Sequence, residues 1–313
     1  MEGILLGFAV VAVLMTIGAL TAAWRPRRAE VIQQGATPLV YYITNPCLMI
    51  ILVADTDVRV VAGLFAPLAL GIALLTGLCF ALFGLLARRS TRDIAVGAMA
   101  SSYVNAGNIG APVALYMVGS TAPVVAVLLA QLLVLAPLYL VIFGLVSSTD
   151  GDDVGRTSRR RTILRSLFNP VTLGVLVGGV ISLVGQAPPD FLWQPITMIG
   201  EASIPLMLII FGMALWQEKP FRSREHLSES LVSILCKAAV MPLIAWALAG
   251  PVFGLQGTEL LGVVAMAALP TAQNVYIFSL QHGMPTSVPK DVIFASSFLA
   301  LPVTLLAAWL LAV

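Results

Sequence analysis

Asn105-Ala106-Gly107-Asn108-Ile109-Gly110-Ala111-Pro112 interrupts an apolar run that extends from Ile94 to Val118. Two glycines, two asparagines and a proline so close together are a poor recipe for a continuous helix in lipid. Proline removes a donor and glycine loosens the backbone, and hydrocarbon offers the freed amides and carbonyls no partner. Such a stretch survives only where it is buried in protein or lines a wet cavity. A second interruption, Leu269-Pro270-Thr271-Ala272-Gln273-Asn274, lies in the apolar run from Leu260 to Leu280. Broken segments at matching places in two halves of a membrane chain point to a transporter's binding site.

The composition sets the class. Hydrophobic residues make up 59% of the 313 residues and charged residues only 10%, which excludes an ordinary soluble domain. Ten apolar stretches approach the ~20 residues that span the hydrocarbon core: 3–23, 33–53, 62–86, 94–118, 122–146, 168–186, 191–215, 230–250, 259–281 and 291–312. The expected fold is therefore an all-α integral membrane protein. Of 17 Lys and Arg, 15 fall in alternate loops, including Arg25, Arg88, Arg159, Arg160, Arg161 and Lys290, whereas the opposite loops hold only Arg59. The positive-inside rule makes the rich loops cytoplasmic and puts both termini outside. The net charge of +2 is a topogenic bias, not a nucleic-acid footprint. No basic n-region precedes the first stretch, so it reads as a membrane span rather than a cleavable signal. Cys47, Cys79 and Cys236 lack metal-ligand spacing, and neither a metal site nor a cofactor is expected.

The polar linker 147–161 divides the chain into five spans at 1–146 and five at 162–313. An odd number per half forces opposite polarity, which makes an inverted repeat if the halves share a fold. Asn45-Pro46-Cys47-Leu48-Met49-Ile50 in the second span is similar to Ile204-Pro205-Leu206-Met207-Leu208-Ile209 in the seventh. Pro46 and Pro112 are 66 residues apart, and Pro205 and Pro270 are 65 apart. Ala136-Pro137-Leu138 has a rougher counterpart in Leu301-Pro302-Val303. Spans four and nine would then break near the membrane centre and cross. Each half-helix beginning there presents free amides and about half a positive charge, enough to receive an anion without a fixed cation.

The Asn-x-Gly-Asn-x-Gly-x-Pro run at 105–112, the Leu-Pro-Thr-Ala-x-Asn run at 269–274 and Ile-Pro-Leu at 204–206 resemble the auxin efflux carrier family. That family includes plant auxin exporters and bacterial transporters of malate and malonate, within a wider group of bile-acid, arsenite and riboflavin carriers. The short central loop is similar to the bacterial members. The resemblance implies a scaffold of spans 1, 2, 6 and 7, a moving unit of spans 3–5 and 8–10, and elevator-like transport with substrate at the crossover. Its expected setting is the cell's inner (plasma) membrane, with a homodimer among the assemblies it allows.

Single residues carry different weights. Asn105 and Asn108 offer donors for a carboxylate, or else satisfy carbonyls released at the break. Gly107, Gly110 and Pro112 read as architectural, as do Pro46, Pro205 and Pro270. Thr271, Gln273 and Asn274 supply polar groups after the second break, with Asn274 favoured over Gln273 for substrate. Gln131, alone amid leucines, suits binding and interhelical glue equally, and Tyr103 is a candidate lining residue. Lys237 can snorkel to the cytoplasmic face and fits a structural or gating role, so no Arg or Lys is expected at the crossover. Glu201 is the proton-coupling candidate if buried. His226 and His282 read as loop or interface residues.

The leading expectation is a secondary transporter of small mono- or dicarboxylates, with auxin-like acids among the candidates. A sodium-coupled symporter resembling the bile-acid carriers is the alternative, although no acid flanks Pro270. Proton coupling is open too. An enzyme is not expected, since neither His-Glu-x-x-His, Gly-x-Ser-x-Gly nor paired intramembrane aspartates occur.

Overall fold

In hydrocarbon a backbone must satisfy its own amides, and this chain does so with helices. The computed structural model describes residues 2–147, 170–186, 188–217, 221 and 225–311. In order, the helices are α1 (Glu2–Trp24), α2 (Pro26–Ala54), α3 (Val58–Leu86), α4 (Thr91–Ser102), α5 (Ala111–Met117) and α6 (Ala122–Val146). They continue as α7 (Pro170–Val184), α8 (Asp190–Ala214), α9 (Leu227–Val252), α10 (Gly257–Ala268), α11 (Asn274–Gln281) and α12 (Ser287–Leu310). Six of them (α2, α3, α6, α8, α9 and α12) are long and apolar enough to cross a membrane. The protein is an all-α, multi-pass membrane protein. The fourth and ninth apolar stretches are each split in two, as α4/α5 and α10/α11. The linker 147–161 falls almost wholly outside the described residues.

Proline shapes the long helices in a recurrent way. Among the described residues, wide π-helical turns occupy Val40–Thr44, Val61–Phe65, Ala106–Gly110, Gln131–Leu135, Cys236–Val240 and Leu248–Val252. The first five each end two residues before a proline (Pro46, Pro67, Pro112, Pro137 and Pro242), and the sixth contains Pro251. The cause is the missing proline amide and the clash of its ring with the preceding turn. The amide just ahead of the proline reaches back five residues instead of four, as Asn45 N does to Val40 O, Ala136 N to Gln131 O and Met241 N to Cys236 O. The helix widens by one residue and continues. Proline here bends a span without ending it.

The chain forms two compact units: residues 1–65, 106–129 and 168–218 in the first, and 66–105, 130–167 and 219–313 in the second. The boundary cuts the fourth span between Asn105 and Ala106. In the first unit, small residues let backbones touch, the usual basis of helix packing in lipid. A Cβ on Gly18 would strike the Ile209 carbonyl, and one on Gly212 would strike Met15, so α1 and α8 need both glycines. Gly174 and Gly178, four apart on α7, lie against the Pro46 and Ile50 carbonyls of α2. In the second unit, Phe80 of α3 packs its ring onto Gly97 of α4.

Candidate substrate site at the paired helix breaks

The ends of α4 and α10 and the stretches 103–105 and 269–272 that follow them lie in the second unit, and local chemistry fixes where each helix stops. α4 starts at Ser90, whose Oγ accepts from the Asp93 amide at 3.1 Å. It ends at Ser102, where Tyr103 turns extended, at φ −94° and ψ 112°. α10 ends at Ala268 because Pro270 excludes helical geometry from the residue before it. Leu269 accordingly sits at φ −58° and ψ 151°.

The two extended stretches pair with each other. Val104 and Thr271 form an antiparallel bridge. Asn105 N donates to Pro270 O at 2.8 Å, and Ala272 N donates to Tyr103 O at 3.1 Å. The remaining amides are satisfied as well. Tyr103 N reaches Met99 O at 2.9 Å and Leu269 N reaches Met266 O at 3.3 Å. Val104 N donates to Gln131 Oε1 at 2.7 Å, and Thr271 N donates to Ser296 Oγ at 3.0 Å. From 103 to 105 and from 269 to 272, every backbone donor has a partner, as burial in lipid demands. One side chain from α6 and one from α12 thus hold the two central residues of the bridge.

The helix ends carry partial charge. α4 and α10 both end at the bridge, so each presents carbonyls and about half a negative charge. Hydroxyls meet those of α4: Thr271 Oγ1 donates to Ala100 O at 2.6 Å, Ser102 Oγ to Ala98 O at 2.8 Å and Ser101 Oγ to Gly97 O at 2.7 Å. A lysine meets those of α10. Lys237 Nζ donates to Ala267 O at 2.8 Å and lies 3.0 Å from Met241 Sδ, with the side chain 1% exposed. This corrects two expectations: Lys237 is buried rather than snorkelling, and a basic side chain does stand at the end of α10, beside the second break. The reason is that α9 begins at Leu227, which places Lys237 roughly 15 Å along the helix.

Two buried polar groups at the break have no partner: the Asn105 Nδ2, in a residue 4% exposed, and the Tyr103 hydroxyl. Both belong to the segment 103–105 that pairs with the second break. An orphaned buried donor costs about 1–3 kcal/mol. Two of them beside one backbone bridge ask for an acceptor.

The other expected site residues fall into three groups. Gln131 and Thr271 are committed through Oε1 and Oγ1 to the backbone of the break. Gln273 and Asn274 are half-buried at the start of α11, and the Gln273 side chain does not cap that helix. Gly107, Asn108 and Gly110 lie in the π-helical turn ahead of Pro112, though the side chains of Asn108 and Pro112 fall outside the described ones. Pro46 opens the second segment of α2, and Pro205 follows the turn at Ala202 in α8. Glu201 is exposed, so the burial on which its coupling role depended is absent.

Sequence reading missed Ser296, Lys237's true depth and a charged cluster at the start of α4. Ser296 had a signal. Gln131 lies six residues before Pro137, and Ser296 lies six before Pro302. In the cluster, His226, Asp93 and Glu229 bring ligand atoms within 4.8 Å of one another. Arg89 Nε already pairs with Glu229 Oε1 at 3.0 Å, and His226 Nδ1 lies 3.4 Å from Asp93 Oδ1. With a guanidinium inside it, this is an ion-pair network.

The first unit contains an open depression of about 480 Å³, lined by residues that include Asp55, Asp57, Arg59 and Ser182. Its polar atoms serve the local backbone: Ser182 Oγ donates to Thr56 O at 2.6 Å, and Asp57 Oδ1 accepts from Arg59 N at 3.0 Å.

No curated protein matches the chain closely enough to count as a relative. The family model described as "Membrane transport protein" matches residues 8–308, nearly the whole chain. A multi-pass helical chain with two spans broken and bridged to each other fits that description, as do the motifs at 105–112, 204–206 and 269–274. The chain belongs to the membrane transport protein family, the family of the auxin efflux carriers, and is a membrane transporter and not an enzyme.

Proposed function

We propose that this chain is a secondary transporter of small organic anions, mono- or dicarboxylates, which bind at the paired breaks of the fourth and ninth spans. One observation carries the reading. Asn105 Nδ2 and the Tyr103 hydroxyl are buried donors without partners, two residues apart in a segment whose backbone is otherwise satisfied. A carboxylate oxygen is the acceptor such donors lack. Gln273 and Asn274 complete the polar lining, while Gln131 and Thr271 hold the bridge beneath it. Gly107, Gly110, Pro112 and Pro270 shape the breaks.

The repeat reading has support from the hydrogen bonds. Gln131 serves Val104 from 27 residues ahead, and Ser296 serves Thr271 from 25 ahead. Equal duties at near-equal spacing are what two copies of one five-span repeat, inverted, would provide. In this account ten spans cross the plasma membrane with both termini outside. Spans 3–5 and 8–10 move as an elevator, with spans 1, 2, 6 and 7 as the scaffold. The test is uptake of a labelled organic-acid panel into proteoliposomes under imposed pH and sodium gradients. Saturable uptake of at least one carboxylate, competed by its analogues, is expected. Uptake of none, or of cationic solutes instead, would end the reading.

A further inference from the structure

In the first unit, α2 and α8 meet where proline interrupts both helices. Two contacts fix their register. Gln33 Nε2 donates to Ile210 O at 3.2 Å, and a Cβ on Gly200 would strike the backbone of Cys47 and Leu48. The helices are therefore antiparallel, and positions 44 and 45 of α2 come level with 202 and 203 of α8. Thr44 lies three and four residues before Cys47 and Leu48, and Ser203 lies three after Gly200, which puts both on the faces in contact. α7 closes a third side, with Gly174 laid against Pro46 O.

Three polar groups are buried here without a partner among the protein's own atoms: Thr44 Oγ1, Asn45 Oδ1 and Ser203 Oγ. Their residues are 5%, 8% and 0% exposed. Hydroxyls inside these helices ordinarily donate to the carbonyl four residues back, as those of Thr76, Ser279 and Thr304 do. Thr44 and Ser203 do not. Each stands two residues ahead of a proline, Pro46 or Pro205, which withholds an amide from the turn before it.

The chemistry of the three groups selects a guest. Asn45 Oδ1 only accepts, whereas a hydroxyl both donates and accepts. A guest that serves all three must therefore donate and accept. An ion is poorly served. The buried acids among the described residues, Glu229 and Asp291, belong to the second unit, and Glu201, two residues before Ser203, is exposed. Uncompensated charge at such a place is costly. Water donates twice and accepts twice, and a buried water characteristically makes about three hydrogen bonds to polar groups the protein leaves over.

We propose that Thr44, Asn45 and Ser203 form a buried hydration site within the first unit, where ordered water bridges α2 and α8 at their paired prolines. The site stands apart from the paired breaks and does not depend on what binds there.

The test is thermal unfolding of the purified full-length protein in detergent, with Thr44→Val, Ser203→Ala and the double variant beside the parent. Both substitutions remove a hydroxyl and leave the remaining shape nearly unchanged. Each single variant is expected to melt a few degrees lower, having lost a hydrogen bond to the water. The double variant should lose less than the two single losses together, because both act through one bridge. A single variant that melts at or above the parent would overturn the proposal, since deleting an orphaned hydroxyl from a dry gap costs nothing. Losses that simply add would overturn it as well. So would a rise of the parent's midpoint in sodium chloride over choline chloride of equal ionic strength that both single variants lack, because the guest would then be a cation. If the variants are not monodisperse, radiolytic labelling of the parent decides. Radicals formed at bound water oxidise the side chains beside it. Met49, one turn beyond Asn45 and fully buried, should be oxidised, whereas Met213, packed in the apolar cluster with Ala22 and Ala29, should be spared. A Met49 as well protected as Met213 would refute the hydration site.

Discussion

Asn105 separates folding from function at the level of one side chain. Its backbone amide holds the bridge to Pro270, whereas its Nδ2 has no partner. Removing the carboxamide should therefore cost little stability and much affinity. Gln131 and Ser296 are the opposite case. Each accepts from a buried amide of the bridge, and an orphaned amide costs about 1–3 kcal/mol. Gln131→Leu and Ser296→Ala are expected to lower the melting temperature of the purified protein by several degrees, in the absence of any ligand. Two variants that melt like the parent would show that the bridge does not depend on these contacts. The asparagines and the two breaks were legible in the sequence because polar and helix-breaking residues are conspicuous in an apolar run. Which of the polar groups were already spent was not, because that depends on partners 25 to 27 residues away. Lys237 was misread for a related reason: its depth followed from a helix start that no cap marked, since His226 makes no side-chain capping bond.

Among whole elements, the prolines and glycines divide the labour. Proline opens five of the wide turns, whereas at Pro270, with Leu269 forced extended ahead of it, it accompanies a full stop. The sequence showed where prolines stood, but not whether each would bend or break its span. That outcome depends on whether a second strand is present to satisfy the freed amides, as residues 103–105 and 269–272 do for each other. The glycines of α7 set a separate requirement. Gly174 and Gly178 bring α7 onto the carbonyls of Pro46 and Ile50, and backbone cannot give way as a side-chain tip can. Gly178→Leu is expected to destabilise the protein by about 1–3 kcal/mol or more, the cost of overpacking. The measurement is the midpoint of thermal unfolding in detergent. Gly63, with open space around its Cα, is the control, and Gly63→Ala should leave the midpoint nearly unchanged. Equal effects at the two positions would refute the close-packing argument.

For the molecule as a whole, composition alone identified a multi-pass membrane protein, and the charge bias in its loops gave an orientation. The expected topology places 147–161 in the cytoplasm. A single cysteine at Ser158 should resist a membrane-impermeant thiol reagent in intact cells and react once the membrane is opened. Strong labelling in intact cells would reverse the topology. The partition into two units was less legible, because the boundary runs through the fourth span at Asn105 and Ala106, inside a stretch that hydropathy treats as one segment. The central claim is that a small carboxylate is held at the paired breaks by neutral donors. Charge-assisted hydrogen bonds contribute about 1.5–3 kcal/mol each, so losing one should weaken binding by about ten- to a hundredfold. The most direct measurement is equilibrium binding of a carboxylate verified by uptake, to the purified parent and to Asn105→Ala, with melting temperatures taken alongside. The account predicts an Asn105→Ala protein that melts like the parent and binds ten- to a hundredfold more weakly, as about one lost charge-assisted bond requires. Parental affinity in a variant with parental stability would contradict it.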